Sequence, residues 1–549
     1  MTDRSAPTAA TFRLPRPTLG QSMLTLIVAT YIIALLNSGF WHHVALIFPH
    51  SFWQRALLGL SVWSLTVLTL EAFGPWRLQK PVAAVLILLA AGAHYYERTF
   101  GVLIDREMVR NVFQTTMAES RHLVTWGAVA QIGLTGVVPA LLVFWPEVRR
   151  FGPMHQVWRW PLGVALSFAF VAGPLFLEFK TFSAALREHD ALMASYQPGA
   201  TLTAIFKFGR EQWRTADPVA RPLGTDARSG PTLAAVQKPV LLVIYAGETA
   251  RAQNFGLNGY ARDTTPGLRE RGVINFRDTT ACGTSTAVSL PCMFSRLTQA
   301  DYSRAGFLAE ENLLDVLSRA GWDVQWHENN TGDQMIARRT GWSNVDPALT
   351  PDACALECTD EVFLPMVETT LASMTGNTVL VLHMIGSHGP AYHLRYPPAR
   401  ALFQPECKTA QFSDCTLDQI VNTYDNTILE TDHVLSRTID LLAASDRVLP
   451  AMLFLSDHGE SLGEDGLFLH AAPRFMAPEV QTKVPFVMWL DPRFAKELAL
   501  DTGCLRDAGG QPVSHDHMFH SVLGLLDVAT SVREPALDVA TDCRIKRGT

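Results

Sequence analysis

The sequence predicts a five-helix transmembrane domain followed by an α/β sandwich domain on the far side of the membrane, and three observations carry that prediction. Its 549 residues are 48% hydrophobic and only 18% charged, which is apolar for a soluble chain. The excess is confined to residues 23–178, whereas the chain beyond about residue 181 has the mixed composition of a water-soluble domain. All eight cysteines (Cys282, Cys292, Cys354, Cys358, Cys407, Cys415, Cys504 and Cys543) fall in that second half, an even number that reads as disulfides in an oxidising compartment. Zinc-binding spacing would fit only Cys354 and Cys358. With a net charge of -7 and no run of Lys and Arg, nucleic acid is not an expected partner.

A helix crossing hydrocarbon needs about 20 apolar residues. Five stretches qualify, 23–42, 55–74, 80–96, 124–145 and 159–178, the third of them short. Arg4, Arg13 and Arg16 precede the first and no small-residue cleavage site follows it, so it reads as a retained anchor. Arg77 and Lys80, and likewise Arg149 and Arg150, lie in two loops on the N-terminal side, which the positive-inside rule assigns to the cytoplasm. The spans, within residues 1–180, then deliver the second half to the opposite face, the periplasm of a Gram-negative cell. A periplasmic loop over 97–123 carries Asn111, Thr115 and Glu119 at a spacing of four, which on a helix sets three polar groups on one face. Over 181–238, Phe182, Leu186, Leu192, Leu202, Ile205 and Phe206 recur at helical spacing among charges, as in amphipathic helices lying on a bilayer. A Pro/Gly/Ser-rich linker at 217–239 leads into the periplasmic domain, 239–549.

Within that domain, apolar runs at 239–246, 322–327, 377–383, 451–456 and 484–490 alternate with helical segments, the pattern of buried parallel strands. Function in such sheets gathers at the carboxyl ends of the strands. Three of those ends carry metal-binding residue types: Glu248, His383 with His388, and Asp457 with His458. Singly, each reads as well as a surface carboxylate or a turn. Together they form a carboxylate–imidazole cluster suited to Zn2+. The segment Ala281-Cys-Gly-Thr-Ser-Thr-Ala-Val-Ser-Leu-Pro-Cys292 sets small residues ahead of an apolar run that begins a helix. A hydroxyl there meets the positive end of the helix dipole, which favours an alkoxide and a phosphate alike. The simpler reading is a helix cap, and Thr284, Ser285 and Thr286 all remain candidates.

Six motifs go further: Gly247-Glu-Thr-Ala-Arg251, Asn258-Gly-Tyr260, Cys282-Gly-Thr-Ser-Thr-Ala287 with Pro291-Cys-Met-Phe-Ser295, Gly386-Ser-His-Gly-Pro390, Tyr424-Asp-Asn426 and Ser456-Asp-His-Gly-Glu-Ser-Leu-Gly463. In these, nearly end to end, the chain resembles the lipid A phosphoethanolamine transferases, which include the colistin-resistance enzymes and belong to the alkaline phosphatase/sulfatase superfamily. The resemblance implies that Thr286 is the nucleophile and that Glu248, Thr286, Asp457 and His458 bind the main Zn2+, with a second ion allowed. His388 and His470 would assist from the second-metal or phosphate position, and Asn111, Thr115 and Glu119 would line the lipid head-group site. It also implies the pairs Cys282–Cys292, Cys354–Cys358 and Cys407–Cys415, leaving Cys504 with Cys543. One departure is Gln334, at or near the position where the family has a Lys that helps hold the substrate phosphate.

The expected reaction moves phosphoethanolamine from phosphatidylethanolamine to lipid A through a covalent Thr286 intermediate, in a monomer of the inner membrane, and lowers polymyxin susceptibility. Core heptose or a periplasmic glucan is the alternative acceptor. The disulfides and the Cys-Gly-Thr-Ser-Thr motif argue against a phosphoglycerol transferase of the lipoteichoic acid synthase type, and the lack of a Cys/Ser-x-Pro-x-Arg motif argues against a sulfatase. The full set of ligands argues against a lipid sensor built on a dead enzyme.

Overall fold

The computed structural model describes residues 16–73, 78–114, 121–149, 152–215 and 219–545. They fall into two compact units, Met1–Arg98 with Trp126–Leu202, and Thr99–Thr125 with Thr203–Thr549. Of the charges used to orient the membrane half, Arg4, Arg13, Arg77 and Arg150 lie outside the described residues.

In the first unit, each of the five expected apolar stretches is helical over most of its length. Phe52–Ala72 and Met154–Leu177 are long and apolar enough to cross a membrane, and Gln21–Leu35 with Ser38–Ile47, bent by 64°, supplies a third if the pair is one span. Trp126–Leu142 is apolar but shorter, and Gln79–Phe100 ends in the polar run His94-Tyr-Tyr-Glu-Arg98. Among the described residues, two or three spans rather than five therefore meet the requirement of length and composition. The bend has a local cause in Asn37, fully buried, whose amide donates to the carbonyls of Ile32 (3.0 Å) and Gln197 (2.8 Å) and accepts from Gln197 N (2.7 Å). A polar side chain that satisfies loose backbone groups in this way stabilises a helix break. Leu162, Leu166, Phe168, Phe170 and Phe176 along Pro153–Leu177 are exposed, more apolar surface than one helix presents to water without a partner phase.

The second unit is built on one sheet. Its strands are β1 (Val240–Gly247), β2 (Ile274–Thr280), β3 (Asp323–Glu328), β4 (Ser343–Asn344), β5 (Thr378–His383), β6 (Leu449–Ser456), β7 (Lys483–Leu490) and β8 (Val513–Ser514), in the order β8-β2-β7-β6-β1-β5-β3-β4. Every residue of β1, β5 and β6 is buried, as continuous apolar runs require. β1 is parallel to both neighbours, with Gly247 opposite Ser456 and Ala246 opposite His383, so three strands end at one edge.

The expectation of parallel strands throughout is corrected at β7, which runs antiparallel to both β2 and β6. A run buried on both faces reads alike in either direction, so direction follows from the connection. Residues 457–482 stay at the carboxyl edge, where they supply Asp457, His458 and His470, and the chain re-enters the sheet from there. β2 was not legible as an apolar run, because it buries only Ile274, Phe276 and Thr279.

The longest helix of this unit, Leu417–Ala443, starts in a capping box between Thr416 and Gln419. On it Glu430 is 2% exposed, neither carboxylate oxygen finds a hydrogen bond among the described residues, and Arg400 Nε stands 3.5 Å away. Burial and the charge of Glu361 push its pKa up to about 8. The folded state thus holds a proton that the unfolded chain gives up near the ordinary glutamate value, so stability from this group is lost as pH rises through about 8. Glu430→Gln is therefore expected to raise the melting temperature by an amount that grows from about pH 5 to about pH 9; thermal unfolding across that range checks it, and a pH-independent shift would contradict it.

Candidate active site

At the shared edge, the residues following β1 and β6 meet. Asp457 N donates to Gly247 O (2.9 Å) and Thr249 N donates to Asp457 Oδ1 (3.1 Å), which fixes the two turns against each other. Thr249 takes a positive φ of 59°, costly for a threonine, and its hydroxyl donates to Glu248 Oε1 at 2.5 Å. Glu248, Asp457 and His458 thereby bring three ligand atoms within 4.8 Å of one another, all buried.

The donor set fits a cation. His458 Nδ1 donates to Gly459 O (2.9 Å), so Nε2 turns its lone pair toward Glu248 Oε1 and Asp457 Oδ2, each 3.4 Å away. Burial and His470 hold the His458 pKa well below its ordinary value, so the ring is neutral. Asp457 Oδ2 has no hydrogen-bond partner among the described residues, and burial with the Glu248 charge holds the Asp457 carboxyl well above the usual range. Two carboxylates and an imidazole lone pair converging on one point repel each other unless a proton or a metal ion lies between them. Oxygen and nitrogen donors, with one imidazole locked by a backbone carbonyl, suit Zn2+.

Among the three hydroxyls left open by the sequence, geometry favours one. Thr284 Oγ1 donates to Ala472 O (2.7 Å), and Ser285 is buried as the residue preceding the helix Thr286–Met293 without making a capping bond. Thr286, first in that helix, sets its hydroxyl 3.0 and 3.2 Å from the Glu248 oxygens and 3.4 Å from His458 Nε2. The loop before it is closed by the Cys282–Cys292 disulfide. Three more disulfides join Cys354 to Cys358, Cys407 to Cys415 and Cys504 to Cys543.

Two acid–imidazole pairs adjoin the cluster. Glu328 Oε1 lies 2.7 Å from His383 Nδ1, and burial notwithstanding, Glu328, Glu248 and Asp457 push His383 up to about 9. Its Nε2 is 3.9 Å from Glu248 Oε2, so His383 backs the cluster as a counter-charge rather than joining it. His470 Nδ1 lies 2.9 Å from Glu460 Oε2, and the same competition, with Glu460 foremost, pushes it up to about 9. The His470 ring is 4.4 Å from that of His458 and 5.3 Å from that of His388. His388 is held well below its ordinary pKa by burial, His470 and Arg395, so the neighbouring imidazoles differ in charge.

Several contributors escaped the sequence reading. Asn330 Nδ2 donates to Glu248 Oε2 (2.7 Å) and Met384 O (2.9 Å); Asp360 accepts from the backbone of Ile385 and Gly386; Arg395 Nε donates to His388 O (2.8 Å). Glu460 also accepts from Tyr392 OH at 2.6 Å. None sits in an apolar run or a ligand-like spacing, so only the fold reveals them. Asn111 lies on the helix Arg106–Gln114, whereas Thr115 and Glu119 fall outside the described residues. Gln334 is 7% exposed, has a φ of 47°, and its side-chain oxygen has no partner among the described residues.

With this geometry in view, comparisons place the chain. Residues 62–213 match the family described as Phosphoethanolamine transferase EptA/EptB, and residues 240–528 match the Sulfatase family. The chain is 36% identical to Phosphoethanolamine transferase EptA of Escherichia coli K12 over 541 residues, 97% of this chain and 98% of that one. It is 31% identical to Phosphatidylethanolamine transferase Mcr-1 of Escherichia coli, over 93% of this chain and 96% of that one. The solved structure of the integral membrane protein lipooligosaccharide phosphoethanolamine transferase A from Neisseria meningitidis superposes with a TM-score of 0.92 at 33% identity, covering 96% of this chain and all of that one.

One glycine of the site is required by its surroundings. Gly386 has a φ of 49°, and a Cβ there would lie 2.4 Å from Glu248 O, which accepts from Ser387 N. Gly386→Ala is expected to destabilise the second unit by more than about 1 kcal/mol and to weaken metal retention by displacing Glu248; calorimetry and bound-metal analysis check both effects.

Proposed function

Because the chain belongs to the phosphoethanolamine transferase family, we propose that it moves phosphoethanolamine from phosphatidylethanolamine to lipid A through a covalent intermediate on Thr286. The observation that carries this reading is the Thr286 hydroxyl at 3.0 Å from Glu248, within a buried carboxylate–imidazole cluster. Phosphatidylethanolamine is the lipid in Mcr-1's name, and lipid A stands in the name of a further relative, the Kdo(2)-lipid A phosphoethanolamine 7''-transferase of Salmonella typhimurium.

Glu248, Asp457, His458 and Thr286 would hold one Zn2+, with a second ion allowed. When bound, Zn2+ supplies Lewis-acid charge, lowering the pKa of an oxygen nucleophile and offsetting charge on phosphoryl oxygens. Thr286 Oγ forms a bond to the donor phosphorus as the bond from phosphorus to the glycerol oxygen breaks, and the threonine proton leaves with diacylglycerol. His388 and His470 balance charge on the phosphoryl oxygens and carry the proton to the departing oxygen. A lipid A phosphate oxygen then attacks the same phosphorus, and the bond to Thr286 Oγ breaks with return of a proton. Gln334, at or near the position of the family's Lys, weakens the grip on the substrate phosphate or changes its choice.

Both substrates are lipids, which accounts for an aqueous active site attached to apolar helices. In this reading residues 1–180 form five inner-membrane spans, 181–238 lie along the bilayer, and 239–549 work in the periplasm as a monomer. Asn111, Thr115 and Glu119 take the lipid head group. Masking lipid A phosphate with a cationic group lowers its attraction for polymyxin.

Expression of the chain in a polymyxin-sensitive host is expected to add the mass of phosphoethanolamine to lipid A, and Thr286→Ala or chelation of Zn2+ to abolish the addition. Mass spectrometry of lipid A reads the result: transfer surviving either treatment sinks the mechanism, and modified core or glucan beside unmodified lipid A moves the acceptor.

A further inference from the structure

Beyond the proposed ligands and assisting imidazoles, one buried histidine belongs to no part of the reaction and yet touches two parts of its machinery. His515 follows the edge strand β8 and is 1% exposed. Its backbone N donates to Thr280 O (3.0 Å), which fixes the residue at the end of β2, just ahead of the loop that leads to Thr286. Its Nδ1 accepts from Cys282 N at 3.2 Å, and its Nε2 is 3.0 Å from Ser456 O. Cys282 opens the nucleophile loop, and Ser456 O is the carbonyl of the peptide that begins Asp457.

We propose that His515 is a positioning residue that sets the Thr286 loop against the Asp457–His458 turn, an inference that rests on the assignment of Thr286 as nucleophile. An imidazole nitrogen that accepts a hydrogen bond carries no proton, so the single proton of the neutral ring resides on Nε2 and is donated to Ser456 O. One ring therefore closes one bond to each element, and only this tautomer makes both. Burial lowers the His515 pKa to about 3, which keeps the ring neutral wherever the protein is folded and working.

Other groups hold the Cys282 peptide as well. Its carbonyl accepts from Arg474 Nη1 (2.8 Å) and Gln299 Nε2 (3.1 Å), and Arg474 also donates to Ala281 O (2.9 Å). Gly283 N donates to Ser289 Oγ (2.9 Å), inside the helix that Thr286 begins. Of these bonds, those of His515 alone extend to the turn carrying Asp457 and His458. An ordinary buried histidine stabilises the fold it sits in; this one spans the gap between nucleophile and ligands, where a displacement of about 1 Å costs on the order of 100-fold in rate.

The experiment uses the full-length protein with phosphatidylethanolamine vesicles as donor and lipid A as acceptor, with bound zinc and melting temperature measured for each variant. His515→Leu, of similar bulk but without either bond, is expected to lower kcat on the order of 100-fold while donor KM and zinc per chain stay within about twofold. His515→Asn, whose side-chain oxygen reproduces the Nδ1 acceptor, is expected to recover about tenfold of that loss. Equal activity of the two variants, or a loss in step with zinc content or folded fraction, would overturn the positioning role. Thr286→Ala assayed alongside keeps the underlying reading separate, since transfer surviving it removes the nucleophile and with it the role given to His515.

Discussion

The constraint on which the second unit depends is the burial of two carboxylates at one point. Glu248 and Asp457 are no more than 1% exposed, and like charges brought that close in a low dielectric cost several kcal/mol unless something opposes them. Their meeting follows from backbone pairing: β1 and β6 run parallel in a register that sets Gly247 opposite Ser456, so the next residue of each strand emerges at the same edge. Much of the neighbouring structure reads as compensation. Thr249 accepts a strained backbone to bring two donors to the pair, Asn330 supplies another, and the one oxygen of the pair left without a hydrogen-bond partner among the described residues, Asp457 Oδ2, lies 3.4 Å from His458 Nε2.

The compensation continues one layer out. His383 and His470 are each held by their own buried glutamate, Glu328 and Glu460, and those glutamates are in turn bonded to Trp326 and Tyr392. Positive charge is thus kept near the cluster at two points while His458 and His388 stay neutral. A buried acid–base pair is weak evidence of stability, because removing both partners can leave a fold unharmed. Two such pairs converging on one group of ligands are better understood as setting the field at a site where anionic groups arrive.

How much of this was legible follows from what each residue's role demands of sequence. β1, β5 and β6 are buried on both faces and so appear as uninterrupted apolar runs, and the candidate metal-binding group stands immediately after two of them, Glu248 after β1 and Asp457 with His458 after β6, whereas His383 at the end of β5 stays outside it. β2 buries only three of its seven residues, and β7 reverses direction without any change in its pattern, so neither the presence of the first nor the direction of the second was visible. Thr286 could not be separated from Thr284 and Ser285 by composition, because all three precede the same helix; what separates them is the Thr284 bond to Ala472, nearly two hundred residues away. Asn330, Arg395 and His515 act through long-range contacts, and Glu460 through its bonds to Tyr392 and His470, none of which leaves a periodicity behind. The five apolar stretches were found as helices, yet hydropathy summed over a window missed that one ends in a polar run and one is short.

The segment between the membrane helices has a consequence for what counts as the catalytic unit. Thr99–Thr125 falls in one compact unit with Thr203–Thr549, and its described residues are held there by both apolar and ionic contacts: Val109 packs with Ala204 and Phe208, and Phe113 stacks on Phe208. Arg110, its side chain 5% exposed, pairs with Glu107 and Glu211, while His122 meets Glu357, whose other oxygen pairs with Arg395. Arg395 in turn donates to the carbonyl of His388. Removing the segment would strand Glu211 without its buried cation and leave Glu357 with one partner, a loss larger than the net worth of either pair. The chain carrying Asn111 therefore belongs to the same compact unit as Thr286, and the backbone of His388 is tied to that segment through Arg395, Glu357 and His122.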